Sequence, residues 1–279
     1  MFIDLAETFS EKKIIKNKLL NIFGHHILRV LIAKIIFNLG KHFKNLNKTT
    51  FNFKSINKNG YHLEKNFLTT KDFKILKGEI IKIKKKKPKI ISGEVYGNMI
   101  WKRYDLSNLI NSTGDNFLKK FFLNNTKFKN LVNYVQGSNY NISYVYYDEI
   151  YELNHPRKYN ETEIMHRDTF YDTFKAWFYI NDIDKLNAPF TIIEGSHKLT
   201  LKKIFFEYTR SIFFKDRPDS FNLDKKNFLS RVRSKKIITN KNSFLLANTF
   251  CFHKKGYMKS SKIRKAINFN FKKNPFFHN

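Results

Sequence analysis

The chain has 279 residues, of which 42% are hydrophobic and 16% aromatic, so it can bury a sizeable core and is not a disordered protein. Its single cysteine excludes an intrachain disulfide framework and fits a reducing cytoplasm. The net charge of +30 would favour polyanionic partners such as nucleic acid or an acidic membrane surface. However, the lysine excess accompanies abundant asparagine, isoleucine and phenylalanine, a composition that an A+T-rich genome produces whatever the function. The positive field would attract anionic substrates in either case.

Residues 1–54 are predicted to form an N-terminal helical extension. Apolar residues recur there at helical spacing, namely Leu19, Leu20, Phe23, Ile27, Val30, Leu31 and Ile35. Two adjacent histidines, Arg29 and Lys34 interrupt the apolar run, so it does not predict a membrane span. The extension either packs on the domain core or on a second subunit, which we prefer, or lies on an anionic membrane surface.

Residues 55–279 are predicted to form one domain whose first part is rich in helices. A short strand begins at Tyr61. Thr69 and Thr70 supply a cap for an amphipathic helix from Lys71 to about Ile83. A second helix is predicted from Asn116 to Val135.

The second part of this domain is rich in short strands. They are predicted within Asn141 to Leu153, from Phe174 to Ile180 and from Phe190 to Ile193, where aromatic and β-branched residues concentrate. A basic helix and loops from Lys198 to Asn242 follow, an insertion of the kind that covers active sites. Helices followed by many short strands suit a distorted jelly roll.

His166 and Asp168 lie two residues apart, ahead of the strand that begins at Phe174. If this segment is itself a strand, both side chains point to the same face. Completed by a distant imidazole such as His253, they form the two-histidine, one-carboxylate set that suits Fe(II) and leaves positions open for substrate and O₂ chemistry. A structural zinc site would more often use thiolates, and the chain has only Cys251, which we interpret as a small core residue.

The His-x-acid pattern is not specific by itself, because His62-Leu63-Glu64 is a second match. Context separates the two, since His62 leads straight into a helix whereas His166 precedes a series of strands. The alternative interpretation of His166 and Asp168 is an ordinary strand with a satisfied polar pair. We interpret His155 as loop surface and His197 as a turn residue at the rim of the site.

Several short motifs occur in a fixed order, namely HRD at 166–168, FKAWFYIND, NAPF, GSHK, and FHKKG followed by Arg264. This order resembles the phytanoyl-CoA dioxygenase family of non-haem Fe(II), 2-oxoglutarate-dependent oxygenases. The segment from Ile56 to Ile80 is also similar to the entry segment of that family, so the resemblance spans roughly Ile56 to Phe276. The separations among His166, His253 and Arg264 match those of the family's two histidines and its oxoglutarate-binding arginine.

The resemblance implies that His166, Asp168 and His253 are the catalytic iron ligands. It also implies that Arg264 binds the far carboxylate of 2-oxoglutarate. A guanidinium suits this task because its planar fork matches a carboxylate through two charge-assisted hydrogen bonds. The alternative for Arg264 is a surface cation in a lysine-rich tail.

Two positions depart from the family pattern. Asn187-Ala188-Pro189-Phe190 replaces the common Asn-Gly-Pro-Phe, which removes the glycine that would adopt a positive φ without strain. Lys255 stands where some relatives carry a hydroxyl that helps to hold the cosubstrate. The candidates to replace that hydroxyl are Ser260, Ser261, Lys175 and Tyr179.

The resemblance implies a mainly β protein with flanking helices, a double-stranded β-helix (a cupin-like jelly roll) with the metal inside the barrel. It further implies an enzyme that uses Fe(II), O₂ and 2-oxoglutarate to hydroxylate a small organic substrate, releasing succinate and CO₂. Asp168 favours hydroxylation, because related halogenases replace this acid by a small residue. Asn270 stands where nucleic-acid demethylases of the wider superfamily carry a second arginine, which argues against a nucleic-acid partner. The alternative function is a non-catalytic basic jelly-roll module that binds polyanions through its lysines.

Overall fold

A computed structural model describes residues 7–10, 14–15, 17–42, 53–91, 99–136, 142–152, 165–213, 233–259, 261–271 and 275–276. Its helices are a 3-10 turn at Glu7–Phe9, α1 (Lys18–Ile22), α2 (His25–His42), α3 (Lys54–Asn59), α4 (Thr70–Ile83), α5 (Asn108–Asn111), a π-helical turn at Lys119–Leu123, α6 (Thr126–Gln136) and α7 (Leu201–Phe213). Its strands are β1 (Tyr61–Glu64), β2 (Lys89–Ile91), β3 (Met99–Asp105), β4 (Tyr144–Glu152), β5 (Phe174–Tyr179), β6 (Phe190–Ile192), β7 (Lys235–Lys236), β8 (Ser243–Asn248), β9 (His253–Lys255) and β10 (Ile263–Phe271).

These strands form two antiparallel sheets that face each other. The major sheet has the order β1-β8-β5-β10-β4-β3-β2, and the minor sheet has the order β7-β6-β9. An apolar core fills the space between them, with Tyr179 and Leu245 from the major sheet against Phe190 and Ile192 from the minor sheet. Two sheets closed over one core, with helices on the outside, make this a mainly β jelly roll of the cupin type, as predicted.

Alternation along the strands separates an inner from an outer face of the major sheet. On β5, Lys175 and Tyr179 are on the inner face, whereas Phe174, Ala176 and Phe178 belong to the outer core. That outer core is built largely from phenylalanine rings, and each fully buried ring contributes about 1.5–3 kcal/mol. The outer core therefore attaches the helices firmly and leaves the inner face available for polar side chains.

The two helices predicted to cover the sheet are present, but the second is interrupted. α4 begins where predicted, because the Thr69 side chain accepts a hydrogen bond from Asp72 N at 3.1 Å. The predicted single helix from Asn116 to Val135 is instead the π-helical turn followed by α6. The break occurs because Asn125 Oδ1 accepts hydrogen bonds from Lys127 N and from Phe128 N at 2.9 and 3.3 Å, which caps a new helix.

The described residues of the N-terminal extension are mainly helical, and α2 packs on α1 and α7. The apolar pattern located the helix but not its buried face. Val30 and Ala33 are buried together with Arg29, whereas Leu31 and Ile35 are exposed. None of the helices in the described part of the chain combines the length and the apolar character that crossing a bilayer requires.

Candidate metal centre

The segments that carry His166 and His253 are joined through their backbones. His166 N donates to His253 O at 2.9 Å, and His253 N donates to His166 O at 2.8 Å. Asp168 N donates to Thr249 O at 3.1 Å. The expectation that His166 and Asp168 share a regular strand is wrong, because His166 forms only an isolated bridge. The pairing with the second segment, not strand alternation, orients both side chains toward His253.

Candidate ligand atoms of His166, Asp168 and His253 all lie within 4.8 Å of one another. The Nε2 atoms of His166 and His253 are 3.9 and 3.7 Å from Asp168 Oδ1. His253 Nδ1 is 2.9 Å from the Cys251 carbonyl oxygen, which can only accept, so Nδ1 carries the proton and Nε2 offers its lone pair to the cluster. This donor set can hold a divalent metal ion. Among the described residues, no other group of three such donors converges in this way.

The electrostatics of the cluster keep His253 and Asp168 in the protonation states that bind metal. Burial, reinforced by the nearby His166, lowers the pKa of His253 to about 3, so its imidazole is neutral. Burial acts to raise the pKa of Asp168, but the Lys175 ammonium and then the two imidazoles outweigh it and hold that pKa well below its usual range. The carboxylate is therefore ionised at neutral pH.

The second His-x-acid match lies on β1 and lacks this convergence. His62 Nε2 is 3.3 Å from Glu64 Oε2, and its Nδ1 is 3.0 Å from Ser55 Oγ. No third ligand joins His62 and Glu64 among the described residues.

Arg264 lies on the inner face of the major sheet, and it is 4% exposed. The alternative of a surface cation is therefore wrong. Its Nη1 donates to Ala188 O at 2.6 Å, and its Nε has no hydrogen-bond partner among the described residues. The nearby Tyr179 hydroxyl likewise has no partner in the described part of the chain, and burial raises the pKa of Tyr179 to about 12. Two unsatisfied polar groups in a buried place fit a polar ligand that supplies oxygen acceptors.

The other residues considered for the cosubstrate are placed differently. Lys175 Nζ lies 2.7 Å from Asp168 Oδ2, so this lysine is paired with the metal cluster. Ser260 lies outside the described residues, and Ser261 is exposed. Lys255 Nζ lies 4.5 Å from the centre of the Trp101 ring. Of the candidates that the structure describes, Tyr179 is the one that lies beside Arg264.

The turn that departs from the family pattern lies directly against Arg264. Ala188 is fully buried and has a φ of +53°, so it adopts the conformation that a glycine would adopt without strain. The glycine of the FHKKG motif packs on the same turn. Gly256 N donates to Pro189 O at 2.7 Å, and a Cβ atom at Gly256 would lie 2.9 Å from that oxygen. The NAPF turn and the FHKKG segment are thus in close backbone contact, and this contact requires a glycine at position 256.

Sequence reasoning missed several side chains of the inner face. The Phe190 ring lies 5.4 Å from His253, and the Trp177 ring packs behind it, 4.9 Å from Phe190. Farther along, Arg103 donates two hydrogen bonds to Asp148 at 2.7 and 2.8 Å. The alternation of β5 would have indicated Trp177 beside Lys175 and Tyr179. The Arg103–Asp148 pair joins β3 to β4, and no local pattern indicates it.

His197 and Cys251 are core residues. His197 is 6% exposed and is not at the rim, which corrects the sequence interpretation. Its Nε2 lies 3.2 Å from Asn57 O and its Nδ1 lies 3.3 Å from Cys251 Sγ. Cys251 is fully buried in the core between the sheets, as interpreted. His155 lies outside the described residues.

No protein-family model matches the sequence, and no curated protein matches it. Solved structures do match. The epimerase SnoN, in complex with Fe³⁺, alpha ketoglutarate and nogalamycin RO, is 12% identical with a TM-score of 0.54, over 79% of this chain and 84% of that one. The alpha ketoglutarate-dependent carbocyclase SnoK from nogalamycin biosynthesis is 10% identical with a TM-score of 0.52, over 80% and 83% of the two chains. HygX from Streptomyces hygroscopicus, with nickel, 2-oxoglutarate and hygromycin B bound, is 13% identical with a TM-score of 0.50, over 79% and 86%. At these identities the likeness is one of fold, and it agrees with the jelly roll described above.

Proposed function

We propose that this protein is a non-haem Fe(II)- and 2-oxoglutarate-dependent dioxygenase of the phytanoyl-CoA dioxygenase family that hydroxylates a small organic substrate. The observation that carries the proposal is the convergence of His166, Asp168 and His253 within 4.8 Å, on the side of the barrel where Arg264 is buried. Two imidazoles and one carboxylate favour Fe(II) and leave coordination positions open. The fold, shared with structures that contain Fe³⁺ or nickel with the same cosubstrate, supports the same conclusion.

In this proposal the side chains of the cluster hold iron. Neutral His253 binds through Nε2 because its Nδ1 is held by the Cys251 carbonyl. Ionised Asp168 supplies the negative charge. When bound, iron with 2-oxoglutarate activates O₂ to oxidise a C–H bond, and succinate and CO₂ are released.

The inner face of the major sheet supplies the rest of the site. Arg264 and the Tyr179 hydroxyl offer donors to the far carboxylate of the cosubstrate, a role that fits their unsatisfied N–H and O–H groups. Trp177 and Phe190 exclude water from the side of His253, which strengthens the electrostatic interactions within the site. The substrate is proposed to be a small molecule, the class that nogalamycin and hygromycin B represent in the similar structures.

The test is an anaerobic titration with Fe(II) and 2-oxoglutarate. Wild type is expected to give the weak visible charge-transfer band of the chelate and, in air, to form succinate. Asp168→Ala is expected to abolish both. Glu64→Ala is the matched control, because it removes the acid of the other His-x-acid pair and should leave the band intact.

The same preparation separates this proposal from the polyanion-binding alternative. Folded wild-type protein with no band and no succinate, but with a steep salt dependence of DNA retention, would overturn the oxygenase proposal.

A further inference from the structure

The residue between the two N-terminal ligands points away from the metal cluster. Arg167 is 2% exposed, and its guanidinium pairs with both carboxylate oxygens of Glu207 on α7. Glu207 is itself fully buried. His166 and Asp168 therefore face the cluster while the intervening side chain is fixed from behind.

Two further basic side chains lie against Glu207, and one of them reaches the other ligand segment. Lys203 Nζ lies 3.2 Å from Glu207 Oε1, and His26 Nε2 lies 3.4 Å from Oε2. The Lys203 ammonium also lies 3.9 Å from the centre of the Phe252 ring. Phe252 immediately precedes His253. One turn of α7 thus contacts both chain segments that supply ligands.

α2 holds the same segment a few residues farther on. The Arg29 guanidinium lies 4.0 Å from the centre of the buried Phe170 ring. Lys34 Nζ donates to the two oxygens of Asp172 at 3.0 and 2.8 Å. The segment from His166 to Asp172 is therefore held through three of its side chains. Arg167 contacts α7, and Phe170 and Asp172 contact α2.

A guanidinium that pairs with both oxygens of a carboxylate has a defined geometry, and loss of either partner leaves a buried charge uncompensated, so the Arg167–Glu207 pair fixes how the ligand segment meets α7. If Glu207 lost its charge, the Arg167 guanidinium would remain buried without its carboxylate, and the chain between the ligands would have to move to hydrate it. The ligands on either side would move with it.

We propose that Glu207 and Arg167 are positioning residues that set the spacing of the metal ligands, and that α2 and α7 together form a support behind the metal centre. This inference rests on the proposed function. It assigns a role to the N-terminal extension, since α2 contributes His26, Arg29 and Lys34 to the support.

The experiment compares Glu207→Gln with Glu149→Gln in the full-length protein. Glu149 is buried as Glu207 is, with 1% of its surface exposed, but it lies on the outer face of the major sheet. It pairs with Lys84 at 2.9 Å and accepts hydrogen bonds from the Tyr147 and Tyr151 hydroxyls. Both variants remove one buried carboxylate charge. Affinity for Fe(II) is measured by the charge-transfer titration, and Co(II) absorption reports ligand geometry, which a loss of stability alone does not change.

Glu207→Gln is expected to bind Fe(II) about 10- to 100-fold more weakly, with an altered Co(II) spectrum. Glu149→Gln is expected to bind as wild type does. Glu207→Asp, which keeps the charge, should recover part of the affinity, and it provides the comparison if Glu207→Gln does not fold. Wild-type affinity and spectrum in both Glu207 variants would overturn the inference and leave the proposed function standing. A wild type that binds no metal would overturn the proposed function and this inference with it.

Discussion

Lys175 Nζ lies 2.7 Å from Asp168 Oδ2, so a cation from the inner face of β5 neutralises the one carboxylate of the candidate metal cluster. The two side chains are 32% and 21% exposed, which leaves water access to the pair. This lysine stabilises the charged form of Asp168 before metal arrives. It also places a like charge next to any divalent ion that binds there.

Replacing Lys175 by methionine should therefore strengthen metal binding. The variant keeps the aliphatic stem and removes the competing charge, whose effect at this partly exposed place is about 1 kcal/mol, or roughly 5-fold in affinity. Isothermal titration with Co(II) measures the change. Unchanged Co(II) affinity together with weaker 2-oxoglutarate binding would instead make Lys175 a cosubstrate ligand.

Arg264→Lys should weaken 2-oxoglutarate binding and leave metal binding unchanged. The ammonium cannot offer two parallel N–H groups to a carboxylate, and loss of one charge-assisted hydrogen bond costs about 1.5–3 kcal/mol, roughly 10- to 150-fold in affinity. Titration of cosubstrate into Fe(II)-loaded protein measures this. Lys265→Gln is the control, because the next residue of β10 lies on the opposite face. Equal losses in both variants would contradict a specific role for Arg264.

Ala188→Gly should stabilise the protein. At a φ of +53° an alanine carries a strain of about 2 kcal/mol that glycine does not. Loss of one buried methyl group costs about 0.8 kcal/mol and the greater freedom of the unfolded chain about 0.5 kcal/mol, so a gain of about 0.5 kcal/mol in the free energy of unfolding is expected. Urea unfolding measures it. A loss of stability would show that packing of the Ala188 methyl outweighs the strain.

His197 should make the fold sensitive to acid. Burial lowers the pKa of His197 from 6.5 to about 4. Between these values the unfolded chain binds the proton and the folded one does not, so the free energy of unfolding falls as pH decreases from 6.5 toward 4. The full effect is about 3 kcal/mol, from roughly 1.4 kcal/mol per pKa unit. Above pH 6.5 this group has no effect on the slope.

The measurement compares urea unfolding of wild type and His197→Gln at pH 7.5 and pH 5. The variant is less stable at pH 7.5, where it loses a well-packed side chain. It should, however, lose less stability than wild type between the two pH values. Parallel losses in both proteins would show that other groups, such as the buried His26, dominate the acid response.

Local patterns in the sequence predicted the elements that are stabilised locally. The cap at Thr69 predicted the start of α4, and the aromatic runs predicted β5 and β6 within a residue or two at their ends. The resemblance to the phytanoyl-CoA dioxygenase family predicted that His166, Asp168 and His253 would lie together, and they do. The iron-binding role itself stays a prediction.

The patterns failed where distant parts of the chain decide the outcome. Lys203 and Glu207 have the composition of a solvent-exposed basic helix, and yet both are buried, because the Glu207 carboxylate pairs with both Lys203 and Arg167. The Arg103–Asp148 pair on the inner face of β3 and β4 was missed for the same reason. Hydrophobicity cannot reveal a buried charged residue whose partner lies on another element.

The reciprocal backbone hydrogen bonds of His166 and His253 are made within the polypeptide alone. The backbone therefore holds together the two segments that carry the proposed ligands. If the cluster binds a divalent metal ion as proposed, a chelator should remove that ion and another divalent cation should replace it while these hydrogen bonds stay in place.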